Sequence, residues 1–256
     1  GDVYKRQIMD RLLQQADVLV QNLAPGAAAR LGLSFEALHA RYPRLIVCDI
    51  SGYGEGGPYQ DKKAYDLLIQ SESGFLSVTG TADDPVKAGC SIADISAGMY
   101  AYSAILNALL LRQKTGLGSR LDVSMLESMV EWMGFPMYYA FEGAAPPVRA
   151  GAAHASIYPY GPFPTGDGNT IMLGLQNERE WRVFCAQVLR QAELAEDPRF
   201  ASNSLRTANR DALRALIVAA FADLSVQQVT ERLEDAQIAN ARAVSYTHLT
   251  LPTILL

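Results

Sequence analysis

Asp94 stands in the stretch GCSIADISAGMY, Gly89–Tyr100, a single carboxylate among small and apolar residues where a long helical pattern begins. A carboxylate so placed has two uses. It can cap the helix, because an Asp side chain accepts the unpaired N–H groups of a first turn. It can also serve as a nucleophile, as carboxylates do in covalent catalysis. The two uses do not exclude each other. Other reactive residue types are sparse. The three cysteines, Cys48, Cys90 and Cys185, are widely spaced and read as buried thiols, and His39, His154 and His248 have no metal-ligand rhythm, so no metal site is expected.

The elements that must position Asp94 form an alternating pattern. ADVLVQN, Ala16–Asn22, is a β-branched run that meets Pro25-Gly26 and reads as a strand followed by a turn. RLIVCDIS, Arg44–Ser51, is a second buried-type strand closed by GYGEGGP, and between the two SFEALHARYP reads as a short helix capped by Ser34. Strand, helix, strand with glycine-rich exits predicts an α/β parallel sheet, whose ligands sit at the carboxyl ends of the strands. A helix is expected from about Tyr65 to Gly74. IADISAGMYAYSAILNALLLRQKTG is the strongest helical pattern; its apolar residues run all round, which predicts a buried helix, and Arg112, Lys114 and Gly116 mark its end. SRLDVSML reads as a strand leading into a helix over Glu127–Phe141.

From about residue 143 to 168 the chain turns to Gly, Pro and Ala, a length of loop that is usually functional inside a compact protein. A smaller α+β second domain is expected after it, over 169–243, with a strand at Thr170–Leu175 and helices near Glu178–Gln191, Asn209–Ala222 and Ser225–Asp235. The large domain is then 8–142. Trp132 and Trp181 read as core. Residues 1–7 and 244–256 change composition abruptly and resemble translated adapter sequence, so they are read as non-native ends of a longer gene.

A hydrophobic share of 49% can fill a sizeable core, and a net charge of -5 leaves no basic footprint for nucleic acid or an anionic membrane. The run Ala104–Leu111 is too short to cross a bilayer and no signal peptide opens the chain, which makes the cytoplasm the expected compartment.

Five stretches taken in order are more specific than any one alone: NLAPGAAARLGL, GYGEGGPYQDKKAYD, SIADISAGMY, RQKTGLGSRLDVSMLE and YPYGPFPTGDG. Together they resemble the family III CoA-transferases, a group that also includes the alpha-methylacyl-CoA racemases. The resemblance runs from about Ile8 to Ala243. It implies an open Rossmann-like large domain, an interlocked homodimer, a CoA thioester as substrate rather than a bound cofactor, and a small carboxylic acid as second substrate. It also implies roles for residues. Asp94 matches the aspartate that carries the acyl group and then CoA; Asn22, Leu23, Arg30 and Lys63 match positions along the CoA site, and Tyr65 matches an active-site aromatic. CoA phosphates need such cations and N–H groups, although exposed cations and a half-buried tyrosine are equally ordinary surface features. His154 and Ser156 fall where the family has a flexible segment over the substrate.

Within the family the racemases move a proton and need two opposed acid/base groups. They resemble this chain except that a His stands where it has Tyr65, before Asp66, and a Glu near Asn177 or its neighbour Glu178. Tyrosine, with an ordinary pKa of about 10, is a poor general base at neutral pH, so CoA transfer is the expected activity; the loop RAGAAHASIYPYGPFPTGDG and the following GLQNEREW resemble the members that move CoA between short dicarboxylic acids, which implies such acids as substrates. A racemase and a catalytically silent truncated fragment are the alternatives. Strands missing from the family's pattern would leave an exposed sheet edge.

Overall fold

The computed structural model describes residues 2–244, and the expected foreign tail, apart from Val244, lies outside them. The chain divides into two compact units, Gly1–Val148 and Arg149–Leu256.

The first unit runs α1 (Asp2–Leu13), β1 (Val18–Gln21), α2 (Ala27–Arg30), α3 (Phe35–Arg41), β2 (Ile46–Ser51), α4 (Asp66–Glu72), α5 (Ile92–Thr115), β3 (Arg120–Ser124), α6 (Met125–Trp132) and α7 (Gly134–Tyr139). Its strands form a parallel sheet in the order β1-β2-β3, in register Val18 with Ile46 and Val47 with Arg120. Parallel pairing requires crossovers, and the sequence supplies them with α3 and then with α4 and α5. Strand alternation sorts the two faces. Leu13, Leu38, Leu45 and Val47 pack on one side, and Cys48, Ala97, Ala101 and Val123 on the other. Among the described residues β1 pairs only with β2, so its outer edge carries open backbone groups, and Val20 on it is exposed.

Local chemistry explains the element ends. Ser34 caps α3 by accepting the amide of Ala37 at 3.4 Å, as its position predicts, and Ser124 caps α6 through the amide of Glu127. Gly116, with φ 76, ends α5 in a left-handed turn whose amide returns to the carbonyl of Arg112. Residues 2–7, read as foreign, are nevertheless helical as part of α1.

Four expectations fail here. Cys90, read with Cys48 and Cys185 as a buried thiol, is exposed, while the other two are buried. α5 is not a buried helix: only Ala93, Ser96, Ala97, Ala101 and Ala108 are buried, while Ile95, Met99, Tyr102, Leu106 and Leu110 are exposed. Small residues let one face approach the sheet closely, and no described element of this unit covers the large side chains opposite. By length and composition alone α5 could cross a membrane, but its alanine face packs against Cys48 and Val123 as in a globular α/β layer. Trp132 is exposed rather than core, because α6 turns its Met129 side inward. The helix expected over 127–141 is two short ones, α6 and α7, meeting at Met133 and Gly134.

The second unit contains β4 (Tyr160–Pro164), β5 (Thr170–Gly174), α8 (Glu178–Val183), α9 (Asn203–Ala208), α10 (Arg210–Phe221), α11 (Val226–Asp235) and β6 (Ala239–Arg242). The strands form an antiparallel sheet, β4-β5-β6, with Tyr160 opposite Gly174 and Ile171 opposite Arg242. β4 lies inside the stretch read as loop; its alternating burial, with Gly161 and Phe163 inward, is masked in the sequence by two prolines. Phe163, Trp181, Phe184, Phe200 and Phe221 form the centre of the core. A capping box at Ser225 and Gln228 starts α11.

Arg206 is 2% exposed and holds this unit together by its donors. It donates to both carboxylate oxygens of Glu178, at 2.7 and 3.0 Å, and to the carbonyls of Tyr158 and Phe200. That hydrogen bonding to Arg206 outweighs desolvation and holds the Glu178 carboxyl below its ordinary value. A depressed carboxyl contributes stability above the ordinary carboxylate range and loses it as pH falls through the folded-state value. Glu178→Gln should therefore destabilise the chain at pH 7 by about 2 kcal/mol, a figure discounted because the carboxylate is half exposed. Chemical denaturation should show the difference vanishing in acid; a constant difference at all pH values would assign the loss to packing.

Candidate functional site

The chain's candidate site lies where β1 and β2 end and α5 begins. Gln21 closes β1, and its side-chain oxygen accepts the amide of Leu23 at 2.8 Å while its amide donates to Asp49 at 2.9 Å. The turn that presents Asn22 and Leu23 is thus tied back to the sheet. β2 ends at Ser51, and Gly52 follows with a backbone approach that only glycine permits: a Cβ there would come 2.2 Å from the Cβ of Ala64. This contact lays the segment Lys62–Tyr65 directly over the end of β2.

These segments and the first turn of α5 enclose a cavity of about 480 Å³, lined among others by Asn22, Leu23, Lys63, Tyr65, Asp66 and Asp94. Five of the six residues singled out from the sequence therefore share one space. Arg30 does not line it. It is the last residue of α2, exposed, with its guanidinium 3.0 Å from where a Cβ of Gly26 would stand. Gly26, in the left-handed region at φ 71, lines an adjoining cavity of similar size that also includes Leu23, Ser51 and the acidic residues Asp49 and Asp122.

The two lysines of the cavity differ. Lys62 is committed, forming an ion pair with Glu72 and lying 4.3 Å from the ring centre of Tyr59. Lys63 is exposed and makes no ion pair or hydrogen bond among the described residues. Tyr65 is not the first residue of a helix but the residue before α4, in extended conformation and 72% exposed.

Asp94 is the third residue of α5, and it is not the cap. Ser91 occupies the cap position, without a side-chain bond, and the carboxylate that reaches the first-turn amides comes from another helix: Asp66 Oδ1 accepts from the amide of Ala93 at 2.9 Å. The capping role expected of Asp94 thus falls to Asp66, which supplies the acceptor from outside the helix. Asp94 is left with no hydrogen-bond partner among the described residues. Cavity walls remove water from its carboxyl although the residue is exposed, and that desolvation, followed by the negative charge of Asp66, holds the carboxyl above its ordinary value. A helix N-terminus works in the opposite direction and favours the ionised form.

His154 and Ser156 belong to the second unit. The imidazole Nδ1 of His154 accepts the amides of Ser156 and Ile157, at 3.2 and 3.1 Å, and its ring stacks on Tyr160, so it organises a turn. Glu178 is held by Arg206 as described, and Asn177 caps α8 through the amide of Glu180. No group of three or more His, Cys, Asp or Glu side chains among the described residues could hold a metal.

A raised carboxyl pKa has a thermodynamic consequence. The folded state binds the Asp94 proton more tightly than the unfolded chain, so ionisation costs stability; the cost is absent below the ordinary carboxylate range and complete above the folded-state value. Asp94→Asn, which keeps the shape without the charge, should raise the melting midpoint at pH 7 and lose that gain at about pH 3. Equal midpoints at pH 7 would mean that the site does not strain the charge.

The profile of CoA-transferase family III matches residues 3–251. Among curated relatives, a succinate–glutarate CoA-transferase of Agrobacterium fabrum is 38% identical over 82% of this chain and 52% of its own. A succinyl-CoA:glutarate CoA-transferase of Mus musculus is 35% identical over 85% of this chain and 50% of its own, and an acetyl-CoA:oxalate CoA-transferase of Acetobacter aceti 35% over 83% and 54%. The chain spans about half the length of these relatives. Among solved structures, a CAIB/BAIF family protein from Brucella suis superposes with a TM-score of 0.84 at 32% identity, over 98% of this chain and 66% of that one. A profile match that takes in both units, on a fold shared with a solved CAIB/BAIF protein, establishes that the chain belongs to CoA-transferase family III.

Proposed function

We propose that this chain carries the nucleophile of an acyl-CoA:carboxylate CoA-transferase acting on short dicarboxylic acids, with Asp94 as the residue that becomes acylated. One observation carries the reading: an aspartate without a hydrogen-bond partner lines a cavity at the strand ends, its carboxyl held above the ordinary value. A more basic carboxylate is a better nucleophile.

The steps balance without metal, redox change or prosthetic group. A carboxylate oxygen of Asp94 attacks the thioester carbonyl; the C–S bond breaks, CoA leaves as thiolate and an aspartyl–acyl anhydride remains. The thiolate attacks the aspartyl carbonyl, expelling the donor acid and forming an aspartyl-CoA thioester. The acceptor carboxylate attacks that thioester, re-forming an anhydride and freeing the thiolate, which takes the acceptor's acyl carbon and releases Asp94. The first turn of α5 faces the developing oxyanions with N–H groups. In this reading Asn22, Leu23 and Tyr65 hold the CoA thioester along the cavity, the unpaired Lys63 meets a phosphate, and Arg30, over Gly26 at the adjoining cavity, meets the nucleotide end.

The racemase reading finds less support. Tyr65 occupies the place of the histidine, and Glu178 is bound to Arg206 with its carboxyl below the ordinary range, unsuited to carry a proton near neutral pH. The acids in the names of the relatives, glutarate, oxalate, mesaconate and D-citramalate, support a dicarboxylic acceptor. An interlocked homodimer belongs to the same reading, and the exposed strip Ile95, Met99, Tyr102, Leu106 and Leu110 on α5 supports association, since single domains rarely leave such a strip in water.

In the full-length protein, Asp94→Asn should lower transfer from succinyl-CoA by at least about ten-thousand-fold, the scale on which loss of a nucleophile is felt. Donor without acceptor should leave an adduct that hydroxylamine converts to a hydroxamate on the peptide Gly89–Tyr100; a label on another carboxylate, or retained transfer in Asp94→Asn, overturns the role. The same protein should exchange no α-hydrogen of a 2-methylacyl-CoA with deuterated water, and exchange as fast as transfer would restore the racemase. Met99→Lys should shift sedimentation toward the monomer; an unchanged dimer would place the interface elsewhere.

A further inference from the structure

Asp66 and Gln70 lie one turn apart on α4, and both reach across to the segment that leads into α5. Asp66 Oδ1 accepts the amide of Ala93 at 2.9 Å, and its Oδ2 accepts Nε2 of Gln70 at 2.7 Å. Gln70 is fully buried, and its Oε1 accepts the amide of Ala88 at 2.9 Å. Every strong polar atom of this pair is therefore used, and each bond dictates the next. Gln70 cannot flip without presenting its amide to the Ala88 N–H, so its donor must face Asp66, and Asp66 must then turn its other oxygen to Ala93. Ser91, the residue at the cap position, contributes no side-chain bond to α5. Apolar packing of Ile69, Ala93 and Met129 closes the space beneath.

We propose that Asp66, oriented by Gln70, is the positioning residue of the site: it fixes the start of α5, and with it the place of Asp94, while its charge tunes the basicity of the nucleophile. The proposal rests on Asp94 being that nucleophile only for its catalytic consequence. A carboxylate is suited to both tasks because a first-turn amide bonds more strongly to a charged acceptor than to a neutral one, and because the same charge, in a cavity that excludes part of the water, disfavours a second negative charge beside it. The burial that acts on Asp94 alone is the larger cause of its raised carboxyl pKa, with Asp66 second. The other titratable groups on the cavity wall are Lys62, Lys63 and Tyr65; the turn after β1, the end of β2 and Met125 contribute none. Lys62 is paired with Glu72, and Lys63, exposed and without an ion pair among the described residues, is the other cation of the lining.

Two variants of the full-length protein separate position from charge. Asp66→Ala removes both. Hydrogen exchange of the Ala93 amide should then rise at least about tenfold, the Asp94 carboxyl, followed by carbon-13 titration and assigned with Asp94→Asn, should titrate lower, and kcat should fall about a hundredfold with little change in KM. The double variant Asp66→Asn with Gln70→Glu keeps all three bonds, since Asn accepts from Ala93 and donates to the new carboxylate, while the charge moves one turn away. Here amide protection and most of kcat should return, and the Asp94 titration and the acid limb of the kcat/KM profile should stay below those of the parent. Unchanged exchange in Asp66→Ala overturns the positioning role, and an unmoved Asp94 titration in both variants overturns the tuning. Should Asp94→Asn keep full transfer activity, the nucleophile assignment falls, while exchange and titration still decide the link between Asp66 and α5.

Discussion

The bond from the Ala93 amide to the Asp66 carboxylate is the interaction on which the site's geometry depends. A helix begins with open N–H groups that must find acceptors, and the usual solution is a side chain at the cap itself. α5 instead borrows its acceptor from α4, so the first turn of one helix is referenced to the side chain of another. The residue three places into α5 is thereby released from local hydrogen bonding, and Asp94 faces the cavity unpartnered. A carboxylate spent on its own backbone would be a weaker nucleophile, since each hydrogen bond it accepts stabilises the charge that must be given up in attack.

Backbone proximity supplies the remaining half of the geometry. The missing side chain at Gly52 allows the Lys62–Tyr65 segment to lie on the end of β2, and Gln21 draws the Asn22–Leu23 turn to Asp49. Neither contact is local in sequence. Both act at the carboxyl ends of parallel strands, where the crossovers oblige the chain to turn and where backbone groups are free to meet a ligand.

How much of this was legible in the sequence follows from what each signal measures. β1, β2, α3 and the extent of α5 were readable because periodicity, a Ser cap and a Gly stop are local. The burial of α5 was not, because an all-round apolar pattern reports what a helix could bury and not what stands beside it. Prolines mask β4, and β6 and α9 are too short and polar to carry a periodic signal. Motif order singles out Asp94, Asn22, Leu23, Lys63 and Tyr65, which line one cavity, and Arg30, from the same motif, which lies apart from it. Asp66 has no local signal beyond its place next to Tyr65. Its task depends on a partner twenty-seven residues away in the chain, and no local pattern carries that distance.

The outward face of α5 also shapes the calorimetry of the chain. Side chains such as Met99, Tyr102 and Leu110 are hydrated in the folded state, so unfolding adds little to their contact with water. Because newly exposed apolar surface is the source of the positive heat-capacity change, this chain unfolds with a smaller change than a fully packed domain of equal length. Its stability curve is correspondingly flatter, and cold weakens it less steeply. Whatever covers that face restores the missing heat capacity to the unfolding of the assembly, as a negative increment on binding.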